Sequence, residues 1–148
     1  MMDMLADKIN LEEFEKDYHD GKSYHRRAEQ FAHKGHHFSL IFNIAAIALE
    51  RYLVALCDLY GIMPQNHNYT CLMDTLEGII DFPPALNEEI RSLDLIFGIC
   101  SLENYHHGAP ESSDSKRILS LCNEVRQLID QIRISSIRAA FENNQGDL

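Results

Sequence analysis

The sequence predicts an all-α protein, an antiparallel bundle of four to five helices joined by short loops. Three observations lead to this class: a long apolar segment at residues 36–61, helical periodicity of apolar residues on both sides of it, and glycine- or proline-containing breaks between the segments. No segment needs a strand. The chain has 148 residues, of which 45% are hydrophobic, and this is the size of one ordinary domain. We therefore expect a single domain over residues 1–148.

The first predicted helix precedes the apolar segment. Asn10 has an acidic residue three positions later, a pattern typical of a helix N-cap, so we expect the helix to begin there. Its apolar stripe continues to about His33, and Gly35 follows as a C-terminal signal. Gly21 lies inside this stripe directly after an aspartate, and this pair is expected to kink or split the helix.

The apolar segment predicts the central helix of the bundle. Between Phe38 and Tyr60 only five residues are not apolar, and at about 100° per residue they fall within roughly 120° of the helix surface. A helix that is apolar on most sides has to be covered by its neighbours. Two charged residues at its middle would each cost about 2.5–3.5 kcal/mol in a bilayer, which favours a buried helix of a soluble protein over a membrane span. We interpret the polar stripe as an exposed or dimer-facing side rather than an active site; it comprises Ser39, Asn43, Glu50, Arg51 and Asp58.

Two shorter helices are expected next. Asn68 can cap a third helix that runs from Tyr69 to Ile80. A double proline then makes a rigid break, and Pro84 is preorganised for the first turn of a fourth helix. A line of apolar residues carries the fourth helix to about His107, before a glycine and a proline end it.

The last predicted helix begins at a serine cap, either Ser112 or Ser113. Its apolar stripe, from Ile118 to Ile132, predicts a face that packs into the core. The tail, residues 142–148, is expected to fray.

The composition favours a cytoplasmic protein. The N-terminus lacks the basic region and apolar run of a secretory signal. The cysteines have no C-x-x-C spacing and lie among apolar residues, so we expect reduced, buried thiols. The net charge is −10, which gives the chain no general attraction to nucleic acid. The four cysteines are Cys57, Cys71, Cys100 and Cys122.

Two local groups of basic residues interrupt the acidic balance. At helical spacing we interpret both as ordinary solvated faces rather than as a stripe that binds a nucleic-acid groove. The first group is His25, Arg26, Arg27 and Lys34, and the second is Arg126, Arg133 and Arg138.

The histidines raise the question of a metal site. Glu103 and His106 have the i, i+3 spacing of a di-iron carboxylate bundle, but such bundles need this motif twice and a glutamate from each of two other helices. The chain has one copy, with Glu50 as an additional candidate. We expect no metal and no cofactor, and we assign the histidines to surface or capping positions. The clustered histidines are His33, His36 and His37 near the first turn, and His106 and His107 at the end of the fourth helix.

Motifs for nucleophilic catalysis, phosphate-binding loops and dinucleotide binding are not present in the sequence. Cys100 lies one to two helical turns before His106 and His107, so a Cys–His pair is conceivable. Because Cys100 belongs to the apolar line of the fourth helix, we interpret it as an inert core thiol.

The order of these elements resembles the HEPN domain family, small helical bundles of higher eukaryotes and prokaryotes that bind nucleotides. The resemblance covers roughly residues 23–133. Its best part runs from Gly35 to Leu56, where a glycine-then-aromatic entry and small residues precede a glutamate–arginine pair and an aliphatic run. Residues 68–72 resemble the family's third-helix start, and 102–110 its aromatic- and proline-containing segment before the last helix.

The resemblance implies a bundle that dimerises. Several members are ribonucleases in which an arginine stands four to six residues before a histidine at the end of the fourth helix; the histidine acts as acid or base and the arginine stabilises the charged phosphorane. Here His106 or His107 matches the histidine, but positions 99–102 hold no basic residue. Arg27 and His33 have the spacing, but they lie in the first helix. The resemblance therefore implies no catalytic residue of this type.

Other members of the family are non-catalytic binding modules or pair with a minimal nucleotidyltransferase. We therefore expect a cytosolic, homodimeric binding module, with a nucleotidyltransferase-type partner in a toxin–antitoxin-like pair and a nucleotide as a candidate ligand. The alternatives are a ribonuclease whose arginine is displaced, for example to Arg51 or Arg91 across the dimer, and a metal-binding bundle. The predicted binding residues are Glu103, Asn104, Tyr105, His106 and His107, for which capping of the helix end is the competing role.

Overall fold

The structure is a computed structural model of the chain. It describes the backbone of residues 2–97 and 110–146, and the side chains of residues 11–96 and 110–135. Within these ranges the chain forms five helices and no strand, so the predicted all-α fold is confirmed. The helices are α1 (Met2–His33), α2 (Phe38–Leu59), α3 (Tyr69–Glu77), α4 (Pro84–Phe97) and α5 (Ser112–Gly146).

Helix α2 is the centre of the bundle, as its composition predicts. It packs against α1, α3 and α5, while α3 packs against α4. By length and composition alone α2 could cross a membrane, but 67% of its most apolar stretch is buried inside the protein. The neighbouring helices thus remove most of the apolar surface of α2 from water, as its composition requires. The largest fully buried side chains of α2 are Phe42, Leu49, Tyr52, Leu53 and Leu56.

Helix α1 differs from its prediction at two points. It begins at Met2, so the expected start at Asn10 is wrong. It also runs through Gly21 without a break, so this glycine does not split the helix. A Cβ atom at Gly21 would stand 2.6 Å from Cδ1 of Tyr52, which is fully buried in α2. The glycine therefore allows α1 and α2 to approach closely.

Two glycines with positive φ end α1 and α2. Gly35 has φ +76° and Gly61 has φ +67°. In the first turn, the N–H of Gly35 donates to the carbonyl of Ala32, and the N–H of His36 donates to that of Phe31. The second turn has the same pattern, with Gly61 and Ile62 donating to Asp58 and Cys57, and all four distances are 3.0–3.1 Å. This pair of hydrogen bonds is the Schellman motif, which provides donors for the last carbonyls of a helix. The predicted C-terminal signal at Gly35 is confirmed.

The boundaries of α3 and α4 follow the sequence closely. The Asn68 side chain accepts a hydrogen bond from Cys71 N at 2.7 Å and caps α3 as predicted. Helix α3 ends at Glu77 rather than at Ile80, although Ile80 is still buried. Pro84 is the first residue of α4 as predicted, whereas the expected end of α4 near His107 lies outside the described residues.

Helix α5 begins at Ser112, within its first turn, so Ser112 is not the N-cap residue. The predicted capping by a serine side chain is therefore wrong. Instead, the backbone N–H of Glu111 donates to the carboxylate of Asp114 at 2.8 Å, and the Glu111 carbonyl accepts from the N–H groups of Asp114 and Ser115. This is half of a capping box, with the acid at the third helical position. The helix continues to Gly146, into the tail expected to fray. The predicted buried stripe is confirmed at Ile118, Leu121, Cys122, Val125 and Ile129.

Candidate functional site

The predicted binding segment cannot be placed in this structure. Its five residues fall between the end of α4 and the start of α5, outside the described residues, as does Cys100. The described residues do show the contacts of the arginines and histidines that the alternative functions would use. They also contain two polar clusters between α1 and α2 that the sequence did not reveal. The five residues are Glu103, Asn104, Tyr105, His106 and His107.

The polar stripe of α2 divides into separate contacts. Asn43 is exposed to solvent. Glu50 lies 3.2 Å from the Nδ1 atom of His67, in the loop before α3. Arg51 turns the other way, and its Nη1 atom lies 3.7 Å from a carboxylate oxygen of Asp17 in α1. The neighbouring charges of Glu50 and Arg51 are thus paired with different elements.

Two carboxyl groups meet between α1 and α2. Asp17 is 8% exposed, and its carboxyl group lies close enough to that of Asp58, near the end of α2, to share a proton with it. Burial, the hydrogen bond to Asp17 and the charges of Asp17 and Glu13 raise the pKa of Asp58 to about 8. Two carboxylates in contact repel each other, so one of them keeps a proton near neutral pH. We refer to Asp17 and Asp58 as the acid pair.

A second cluster connects the surface to the core through His25. This residue is 1% exposed, and its Nδ1 atom lies 2.9 Å from the hydroxyl oxygen of Tyr52. Its Nε2 atom lies 2.8 Å from a carboxylate oxygen of Glu29, one helical turn further along α1. Burial lowers the pKa of His25, with a smaller contribution from the Arg126 charge, while the Glu29 carboxylate opposes this shift. Tyr52, at the inner end of this chain of groups, is fully buried, whereas Glu29, at its outer end, is exposed to solvent.

Burial in the core keeps the cysteine thiols near these clusters protonated. Cys57 and Cys122 are buried as predicted, whereas Cys71 is half-buried. Burial raises the pKa of the Cys57 thiol to about 12, followed by smaller contributions from Asp58 and Cys71. The Sγ atom of Cys122 donates to the Ala45 carbonyl at 3.3 Å. Thiols held in the protonated form are poor nucleophiles, which argues against a catalytic use of these two.

The two arginines proposed as displaced catalytic cations differ in how firmly they are held. Arg91 makes three close contacts, at 2.6 Å to Asp74, 2.8 Å to Glu77 and 2.7 Å to Asn87, and together these tie α4 to α3. Arg51 has its looser contact with Asp17, and its side chain is 39% exposed. All three guanidinium nitrogens of Arg91 are therefore hydrogen-bonded to side chains of its own subunit.

The histidines with described contacts serve the fold. The Nδ1 atom of His37 accepts from Ser39 N at 3.2 Å and caps α2. The ring of His36 packs edge-on against Phe31, with 4.8 Å between ring centroids. Among the described side chains, no three His, Cys, Asp or Glu residues are grouped in a way that could hold a metal ion. The cluster of His33, His36 and His37 therefore surrounds a turn without forming a coordination site.

The described residues define a helical bundle with polar contacts buried between its first two helices. Comparison of the chain with protein-family models, with curated proteins and with solved structures gave no match in any of the three.

Proposed function

We propose that this chain is a non-catalytic helical binding module of the HEPN type. It would act in the cytoplasm as a homodimer and as the partner of a minimal nucleotidyltransferase in a toxin–antitoxin-like pair. A ribonuclease of this type needs an arginine beside its histidine, and the sequence has none at the positions where the resemblance requires it.

The observation that carries this proposal is the state of Arg91. To serve an active site across a dimer, it would have to leave Asp74 and Glu77, and two exposed carboxylates of α3 would lose the contact that ties them to α4. Exposed ion pairs are individually weak, but here three side chains hold one guanidinium group at the same time. This favours a structural role for Arg91. Arg51 is less firmly held, so of these two arginines it is the better candidate for the ribonuclease alternative.

A partially apolar surface on α2 supports a role in binding. Leu40 is 40% exposed and Ile47 is 38% exposed, and they stand two helical turns apart on one side of α2 with Asn43 between them. The sequence predicted that this side of the helix faces solvent or a dimer partner. Two exposed aliphatic side chains at this spacing match the anchors of a helix–helix contact.

The dimer is tested by placing a charge on this surface. Ile47→Glu is expected to convert a dimer into a monomer in light scattering at micromolar concentration, because a carboxylate would be desolvated in the contact. Met63→Glu is the matched control, since Met63 is 90% exposed in a loop and its substitution is expected to leave the mass unchanged. A wild-type protein that is monomeric, or a dimer that survives Ile47→Glu, would contradict this surface.

The partner is tested by co-expression with the product of the neighbouring reading frame. A nucleotidyltransferase that co-purifies in stoichiometric amount with the wild-type chain would support the proposal. A neighbour of another class, or a nucleotidyltransferase that elutes separately from this chain in gel filtration, would contradict the pairing.

A further inference from the structure

The C-terminal half of α1 and the turn that follows it carry a charge opposite to that of the whole chain. Residues 21–37 contain four of the 13 lysines and arginines and four of the eight histidines, but only one of the 23 acidic residues. That acid, Glu29, is engaged by His25 at 2.8 Å. The chain as a whole has a net charge of −10, so this segment is a local cationic region.

The cations of this region share one face of the helix. At about 100° per residue, Arg26, Arg27, His33 and Lys34 lie within roughly 120° of each other on α1, and all four are exposed. The buried residues Gly21 and Ala28 lie on the opposite side. The structure corrects the sequence-based grouping in one respect, because His25 belongs to the buried side.

Three of these cations have no ion-pair partner in the described part of the chain. Acidic groups lie within 4 Å of Arg51, Arg91, Arg117 and Arg133, but none of the described acids is that close to Arg26, Arg27 or Lys34. The second basic group of the sequence is different, because Arg133 lies 2.6 Å from Glu15 and Arg126 reaches Asn123. The first group thus carries three exposed cations without an acidic partner among the described residues, whereas in the second group Arg133 is paired and Arg138 lies outside the described side chains.

Aromatic rings lie in the turn that follows these cations along the chain. The turn places the exposed ring of His36 against Phe31, and the exposed ring of His37 lies over Phe38 with 4.1 Å between centroids and 31° between planes. The turn is held by the Schellman hydrogen bonds at Gly35 and by the His37 cap. The rings are thus presented on a fixed backbone. We call Arg26, Arg27, His33, Lys34, His36 and His37 the turn patch.

We infer that the turn patch binds single-stranded nucleic acid. Free arginine and lysine side chains contact phosphates, and exposed rings offer planes on which unpaired bases stack. The carboxylates of an acidic protein segment would use the cations, but they would make no use of the rings. This inference is independent of the proposed dimer and of the nucleotidyltransferase partner, and it requires no cleavage. It also revises the expectation drawn from net charge, because that expectation averaged over a chain whose charges are separated.

The binding test uses fluorescence anisotropy of a labelled oligouridylate of about 15 nucleotides, in about 50 mM salt. With three phosphates neutralised, the slope of log affinity against log salt is expected to be about −2, so binding weakens by about 15-fold between 50 and 200 mM salt. Replacing Arg26, Arg27 and Lys34 together by glutamine is expected to weaken binding at least tenfold. The matched control replaces three exposed cations elsewhere, Lys16, Lys116 and Arg117, and is expected to change affinity less than twofold.

Three further ligands separate the possible occupants. An oligothymidylate of equal length is expected to bind, and the tighter of the two strands identifies RNA or DNA as the source. An abasic strand of equal length is expected to bind several-fold more weakly, because it offers phosphates without bases. No binding of the oligouridylate at 100 μM, an equal loss in the control variant, or equally tight binding of polyglutamate would overturn the inference. The last result would assign the turn patch to an acidic protein.

Discussion

The acid pair predicts an unusual dependence of stability on pH, which the substitution Asp58→Asn can reveal. The carboxyl group of Asp58 has a pKa of about 8 in the folded chain, against an ordinary value of 3.8. An asparagine has nearly the same shape and can donate a hydrogen bond to the carboxylate of Asp17, but it never acquires a charge. The variant therefore keeps the contact and removes the titration.

The sign follows from which state holds the proton. Between about pH 4 and pH 8 the folded chain keeps the proton on the acid pair and the unfolded chain releases it, so the folded state binds more protons. The contribution of Asp58 to stability is then complete below about pH 4 and is lost as the pH rises towards 8. The full difference in pKa corresponds to about 5–6 kcal/mol. Because Asp58 is partly exposed and Arg51 is close to the pair, we expect screening to reduce the observable change between pH 5 and pH 8 to about 2 kcal/mol.

Urea denaturation followed by circular dichroism at pH 5, 6, 7 and 8 measures this effect. The free energy of unfolding of Asp58→Asn is expected to rise relative to that of the wild type by about 2 kcal/mol across the series. Glu88→Gln removes an exposed carboxylate from α4 and is expected to keep a constant offset from the wild type. A constant offset for Asp58→Asn, or an offset that changes in the opposite direction, would refute the shared proton.

Two further predictions concern packing and helix ends. Gly21→Ala is expected to destabilise the fold by about 1–3 kcal/mol, since its Cβ would overlap the buried ring of Tyr52, whereas Gly78→Ala is expected to be neutral or slightly stabilising because nothing lies within 4 Å of the new atom. Both are checked by urea denaturation, and equal effects would contradict the close approach of α1 and α2. Asp94→Ala is expected to cost about 1–2 kcal/mol, because the Asp94 carboxylate accepts from the first two N–H groups of α3 at 2.9 and 2.8 Å. Hydrogen exchange should then be faster at the start of α3 than elsewhere in the chain, and unchanged protection there would contradict this role.

The central helix and most helix ends were predictable because their signals are local. A long apolar run with a narrow polar stripe has few structural solutions, and Gly35, Asn68 and Pro84 each act through their own backbone geometry. The start of α1 was predicted wrongly because the residues before Asn10 also favour a helix. A cap pattern at Asn10 does not stop the helix from beginning earlier in the chain. Local signals therefore locate helices better than they exclude their extension.

The acid pair and the His25 cluster were not predictable from local patterns. Asp17 and Asp58 are far apart in sequence, and only the packing of α1 on α2 brings their carboxyl groups together. A signal was present for His25, which stands seven residues after Tyr18 on the same buried side of α1. Its neighbours Arg26 and Arg27 led to its assignment to a group of basic residues instead. The helical period places His25 on the buried side of α1 and the two arginines on the exposed side.

The central claim, that this chain binds without catalysing a reaction on RNA, is tested most directly by incubation with RNA. Purified protein at micromolar concentration is mixed with an end-labelled single-stranded RNA for several hours, and the products are resolved on a denaturing gel. We predict that the RNA remains full-length, both for the wild type and for a variant carrying His106→Ala and His107→Ala. Cleavage by the wild type that disappears in this variant, and also in Arg51→Ala, would contradict the claim and establish the displaced-arginine ribonuclease.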